Sequence, residues 1–190
     1  MPGIIQPETE RLYLRQWHQD DFVPFSEMCA DPKVMEFYPS LLTREESYDM
    51  AKKCQDLIAE RGWGFWAIEE KESNRFIGFV GLHIPKDKLP FSPCVEIGWR
   101  IAPLHWGKGY ATEAARSALR VGFEQLDLSE IVSFATVNNF KSRAVMERLK
   151  MVEDKATFEH PALPEGHELR RHCLYRLSRK NWPINNSLFI

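Results

Sequence analysis

The chain has 190 residues, enough for one large domain with a sizeable buried core. Hydrophobic residues at 44%, aromatics at 12% and charged residues at 27% are ordinary globular usage, which excludes collagen-like, low-complexity and intrinsically disordered classes. Twenty-five Lys and Arg against 27 Asp and Glu leave a formal charge of -2, too near neutral for the positive field that a phosphate backbone demands, so nucleic acid is not an expected partner.

The opening Met1-Pro-Gly-Ile-Ile-Gln-Pro-Glu8 has neither a basic start nor an apolar segment, and no run of roughly 18 apolar residues occurs anywhere, so neither a signal peptide nor a membrane span is expected. Arg11 to Arg15 alternates with period two and reads as a first strand. A helix follows, capped by Asp20, with Phe22, Phe25, Met28 and Cys29 at helical spacing until Asp31-Pro32. Thr43-Arg-Glu-Glu46 is a capping box for a second helix that stops at Gly62. Trp63 to Ile84 returns to period two around a charged turn at Glu70 to Asn74, which predicts a hairpin. Val95 to Ile101 is a fourth strand with Val95, Ile97, Trp99 and Ile101 on one face and Glu96 on the other.

Beyond the loop Pro103 to Gly109, Ala111, Ala114, Ala115, Ala118 and Phe123 predict a long helix able to pack close to a sheet. Ile131 to Val137 is a continuous apolar strand, Ser142 to Leu149 a short helix, Met151 to Phe158 a strand and Leu169 to Leu177 a last alternating strand. The order predicts an α/β (α+β) fold with a mixed, mainly antiparallel central sheet of about seven strands and helices on both faces. A single domain over 8–178 is expected, with a C-terminal tail at 179–190. Beyond Trp182 the tail reads as frayed or as an oligomer contact, a homodimer being the self-association considered.

Four cysteines, Cys29, Cys54, Cys94 and Cys173, stand singly with no C-x-x-C pair. Neither a disulfide framework nor a zinc ribbon is indicated, and a cytoplasmic setting is expected. The most informative stretch is Trp106-Gly-Lys-Gly-Tyr-Ala-Thr-Glu113, between a strand and a helix. Its two glycines admit a close backbone approach, and the N–H groups at the helix start favour an anion, most naturally a phosphate. The stretch lacks the Lys-Ser or Lys-Thr pair of a nucleoside triphosphate loop, and Thr112 stands where a dinucleotide fingerprint needs its third glycine.

Together, Glu96-Ile-Gly-Trp99, Trp106 to Ala114, and Asn139-Phe-Lys-Ser142 followed by Val145 to Leu149 make the chain resemble the GNAT superfamily of acyl-CoA-dependent N-acetyltransferases. The opening Thr9-Glu-Arg-Leu-Tyr-Leu-Arg15 resembles the branch containing the ribosomal-protein N-terminal acetyltransferases. Trp106, where the family often has Gln or Arg, and Lys150, in place of a frequent Gly, depart from the pattern. The resemblance implies acetyl-CoA as cosubstrate and no metal. It places the pyrophosphate on Gly107, Lys108, Gly109, Tyr110, Ala111 and Thr112, and the pantetheine arm beside Arg100, Ile101 and Ala102. Asn139 would contact pantetheine, and the Ser142 hydroxyl would protonate the leaving thiolate.

Amine acetylation needs a base, because an ammonium is not nucleophilic. Glu96, the carboxylate inside an otherwise apolar strand, is the first candidate, with His83 and His105 as alternatives. For the acceptor, the Pro-bounded segment His160 to His172 suggests His167 and Arg170, while Trp63 and Trp66 could form an aromatic wall with His83 near them. The expected activity is acetyl transfer from acetyl-CoA to a primary amine, of a protein N-terminus or a small molecule, by direct attack in a ternary complex. The alternative is a non-catalytic acyl-CoA-binding module that keeps the glycine turn and lacks a working base.

Overall fold

The computed structural model describes residues 3–182. They fall into two compact units, one drawn from residues 3–82 and 98–118, the other from residues 83–97 and 119–182.

In the first unit, β1 (Leu12–Arg15) buries Leu12 and Leu14 completely, as its alternation dictates. A 3-10 turn at Gln19–Asp21 leads into α1 (Phe22–Cys29). Asp21, rather than the expected Asp20, organises this start. Its carboxylate accepts the His18 N–H at 2.8 Å and two bonds from Arg15 at 2.7 and 2.9 Å. α2 (Arg44–Arg61) opens on the predicted capping box, with Thr43 Oγ1 accepting from the Glu46 N–H at 3.2 Å and the Glu46 carboxylate accepting from the Thr43 N–H at 2.8 Å. It ends at Gly62, φ 86°, as the sequence predicts, and its Ala51, Cys54 and Ile58 stripe is buried.

β2 (Phe65–Glu70) and β3 (Arg75–His83) form the expected hairpin, turning through Asn74 at φ 54°, and β1 lies antiparallel to β2. Gly78, at φ 144°, follows a register shift between Ile68 and Glu69 on the paired strand. A Cβ at Gly78 would run into the main-chain carbonyl of Arg100, in β4 (Glu96–Ile101). Glycine is therefore what lets β4 lie close to β3 at this point. β4 leads through a glycine turn to α3 (Tyr110–Arg120), whose Ala114, Ala115 and Ala118 are fully buried.

In the second unit, α3 runs on into a π-helical turn at Val121–Gln125. Then come β5 (Glu130–Thr136), α4 (Phe140–Arg148), β6 (Val152–Glu153), β7 (Phe158–Glu159) and β8 (Arg171–Ser178). β5 is parallel to β4 at Glu96–Val132 and antiparallel to β8 along its whole length, while β6 and β7 both pair antiparallel with β8. The mixed, mainly antiparallel character is as expected, but among the described residues there are eight strands rather than about seven. The predicted Met151 to Phe158 strand breaks in two, because its buried Met151 gives way to an exposed Val152 and the polar bend Asp154 to Thr157 has no apolar alternation to hold it in the sheet.

Two boundaries also move. α4 starts at Phe140, two residues before the expected Ser142, because Asn139 supplies the cap. The packed chain continues past 178 through a 3-10 turn, Arg179–Asn181, to Trp182, 4% exposed, whose ring lies 5.4 Å from Phe123 and whose Nε1 donates to Glu124 at 2.9 Å. The end expected to fray or to mediate a homodimer lies outside the described residues. Among the described residues no helix is long and apolar enough to cross a membrane.

Gly78→Ala should destabilise the protein by about 3 kcal/mol, a fall in Tm of roughly 6–12 °C at this chain length. A thermal melt checks this, and an unchanged Tm would contradict the tight approach at Gly78.

Candidate active site

The turn between β4 and α3 is held from three sides. Gly107 and Gly109 both take left-handed backbone, φ 75° and 82°. A side chain at 107 would meet nothing within 4 Å, so conformation rather than space favours glycine there. Glu113 N–H bonds to Gly109 O at 3.0 Å, and the N–H groups ahead of it in the first turn have no partner within the helix. Residues 107 to 109 are exposed. The turn thus presents a row of outward main-chain donors at the positive end of a helix dipole.

What fixes the turn is Arg11, in the residue before β1. Its Nη1 donates to the Lys108 carbonyl at 3.0 Å, its Nε donates to Glu113 at 2.7 Å, and its own main-chain N–H donates to the other Glu113 oxygen at 3.0 Å. Thr9 adds a 2.5 Å hydroxyl bond to the same carboxylate. Burial alone would raise the Glu113 carboxyl, but the bonds from Thr9 and Arg11 hold it below the ordinary value, so it stays a carboxylate. The Arg11 guanidinium also lies 4.5 Å from the Tyr110 ring centre.

Tyr110 is anchored in turn, its hydroxyl donating to Glu70 at 2.6 Å. Glu70 also accepts from Ser73 at 2.6 Å, and the Ser73 and Tyr110 bonds keep it ionised. His105 Nδ1 stands 3.6 Å from the same carboxylate, and burial holds this imidazole below its usual value despite Glu70. Trp106, the departure from the family pattern, turns its indole back to donate to the Ile101 carbonyl at 2.7 Å. From the sequence, Tyr110 is named for the pyrophosphate, His105 as an alternative base and Trp106 as a departure from the family pattern, and none of these partners is given the role of holding the turn. Arg11 and Thr9 sit in the opening motif, but nothing local to it signals a partner at 113.

Arg100 to Ala102 is the stretch beside which the resemblance implies the pantetheine arm. The Arg100 side chain is 6% exposed, with Nη1 3.1 Å from Cys29 Sγ. The Ala102 N–H donates to the Ile77 carbonyl at 2.9 Å and is occupied.

In the second unit, Glu96 is half-buried at the start of β4. Desolvation pushes its carboxyl up to about 8, which makes it an acid–base group poised near neutrality. Register and alternation place Val132 and Phe134 of β5, His172 of β8 and Phe158 of β7 on its face of the sheet. These side chains gather with Phe91 and His160 into a half-buried aromatic shelf. Phe91 and Phe158 lie 5.0 Å apart, Phe134 and Phe158 5.7 Å, and His160 and His172 5.0 Å. Burial holds both histidines below their usual value, so they are neutral at physiological pH. Asn139 caps α4 by accepting the Ser142 N–H at 3.1 Å, and Ser142 is half-buried in that first turn.

The expected acceptor residues fare unevenly. Trp66 is fully buried, its indole donating to the Ile5 carbonyl at 2.7 Å, so it is core and offers no acceptor wall. Trp63 is half-buried beneath the Arg61 guanidinium at 4.2 Å, and His83 ends β3 half-buried. His167 Nδ1 accepts the Leu169 N–H at 3.1 Å, and Arg170 pairs with Glu159 at 3.4 Å, both local contacts of the loop. His160 and His172 join the rings instead. Phe91, Phe134 and Phe158 were missed because no local spacing links residues so far apart in sequence. Among the described residues, no group of three or more His, Cys, Asp or Glu could hold a metal ion.

Glu96 yields a stability test. Its folded carboxyl lies above the ordinary value, so the folded state binds the extra proton. That contribution is present below the ordinary value and is lost as pH rises towards about 8. Glu96→Gln removes the ionisation, so its Tm should gain on the parent's between pH 5 and pH 9, each kcal/mol being worth about 2–4 °C. A difference that is flat with pH would contradict the desolvated carboxyl.

Comparison with known proteins places the chain in a family. The sequence model of the Acetyltransferase (GNAT) domain matches residues 11–152. An Aspergillus fumigatus protein named FsC-acetyl coenzyme A-N(2)-transacetylase is 36% identical over 167 residues, covering 80% of this chain and 67% of that one. The uncharacterized N-acetyltransferase YnaD of Bacillus subtilis is 27% identical over 175 residues, 92% of this chain and 97% of its own. The crystal structure of a GNAT-family acetyltransferase from Bacillus anthracis superposes with a TM-score of 0.77 at 25% identity, covering 93% of this chain and 99% of the other. The chain belongs to the GNAT family and is an acetyltransferase.

Proposed function

We propose that this acetyltransferase takes its acetyl group from acetyl-CoA and passes it to a primary amine by direct attack, without a covalent enzyme intermediate. The observation that carries the reading is the clamped glycine turn, whose outward N–H groups fit a pyrophosphate, with the exposed Lys108 adding charge. Acetyl-CoA supplies an acyl carbon already activated as a thioester. Glu96, in its ionised form, takes the proton that the ammonium must lose before its nitrogen can attack. The Ser142 hydroxyl donates to the sulfur as the carbon–sulfur bond breaks, and Asn139 holds the pantetheine amide. For the acceptor, the aromatic shelf on the face of Glu96 suits an ammonium, which is attracted to ring faces. The resemblance of Thr9 to Arg15 to the ribosomal-protein branch keeps peptide N-termini among the candidates beside small-molecule amines. Four unpaired cysteines, Cys29, Cys54, Cys94 and Cys173, support a cytoplasmic setting.

Thiol release from acetyl-CoA across a panel of peptide N-termini, amino acids and polyamines tests the reaction. Gly109→Val should weaken acetyl-CoA binding at least about tenfold, because the left-handed backbone is denied to a β-branched residue. Ser142→Ala should lower turnover at every pH with acetyl-CoA affinity retained. Glu96→Gln should lose most turnover near neutral pH and less at high pH, where acceptor is already deprotonated. Full activity of Glu96→Gln across that range would hand the base role to another group.

A further inference from the structure

Arg100 is a costly side chain to bury. It is 6% exposed, and no carboxylate is among its partners. Its hydrogen-bond partners are the Tyr38 hydroxyl and the Cys29 sulfur, a weak acceptor 3.1 Å from Nη1, and its Nε is buried without a hydrogen-bond partner. Three rings surround the guanidinium, with centres at 4.3 Å for Tyr38, 5.4 Å for Phe79 and 5.9 Å for Phe25. Cation–π contacts return part of the cost. Burying a charge without a counter-ion costs more than such contacts return, and the deficit is larger still when a donor lies idle. Cys54, near the same charge, is no counter-ion, since burial pushes its thiol up to about 12. A methionine of similar length would fill this space without the penalty. Tyr38, by contrast, is 38% exposed and is the side of the cage that meets solvent.

We infer that Arg100 is the anchor for a carboxylate carried by the acceptor, so that the enzyme acetylates amines bearing an acid group, of amino-acid type. A carboxylate matches the planar donor fork of the guanidinium and would satisfy the idle Nε, entering past Tyr38. The inference rests on the acetyl-transfer reading for its chemistry, but the anion site can be tested without it.

The experiment compares the ω-amino acids from glycine to 6-aminohexanoate with their carboxamides, in two readouts on the full chain: the rise in Tm at saturating ligand, and kcat/KM for thiol release. At least one acid should exceed its amide by about tenfold or more in kcat/KM and should alone raise Tm. Arg100→Met should abolish that discrimination, and Arg100→Lys, which keeps the charge but not the fork, should retain part of it. If acids stabilise the parent but no acceptor releases thiol, the anchor stands and the transfer reading falls. If acids and amides behave alike in both readouts, or Arg100→Met keeps the preference, the anchor is overturned. The comparison within the parent decides the matter even if Arg100→Met fails to fold.

Discussion

The organisation of the first unit depends on one carboxylate, Glu113, and on the arginine that grips it. A turn with two left-handed glycines has little conformational preference of its own, since glycine gains its freedom at an entropic cost. Arg11 removes that freedom by holding both the Glu113 carboxylate and the Lys108 carbonyl, so that the turn is tied at its middle and just beyond its end. An exposed ion pair alone contributes little. Here the main-chain N–H of Arg11, its guanidinium and the Thr9 hydroxyl all converge on one carboxylate, and the geometry is fixed as a network. Tyr110, held by Glu70 and covered by Arg11, fastens the start of α3.

Three carboxylates show how environment divides structural from chemical work. Glu70 and Glu113 are surrounded by donors and stay ionised, as befits groups that hold other groups. Glu96 is given desolvation and is pushed towards neutrality. When environments drive like groups apart in this way, the displaced one is the natural proton carrier. Arg100 is the cationic counterpart, a charge kept where packing alone would have chosen an apolar residue.

Local signals were legible in the sequence, and long-range ones were not. The capping box at Thr43, the stop at Gly62, the hairpin through Asn74 and the glycines of the turn all act within a few residues, and the structure follows them. The grip of Arg11 on Glu113 joins residues far apart in the chain, and nothing in either neighbourhood announces the other. Trp66 illustrates a related failure. Its strand pattern was legible, but aromatic character alone cannot tell a wall from a core, and the core took it. The cap of α4 turned on a choice between two good capping residues, Asn139 and Ser142, which only the backbone resolves.

The central claim is that the clamped turn receives the pyrophosphate of acetyl-CoA. Calorimetric titration of the full chain with acetyl-CoA and with acetyl-pantetheine, which lacks that group, tests it most directly. The account predicts saturable binding of acetyl-CoA and binding of acetyl-pantetheine weaker by about a hundredfold, or about 2.7 kcal/mol. Equal affinities, or no binding of acetyl-CoA, would contradict it.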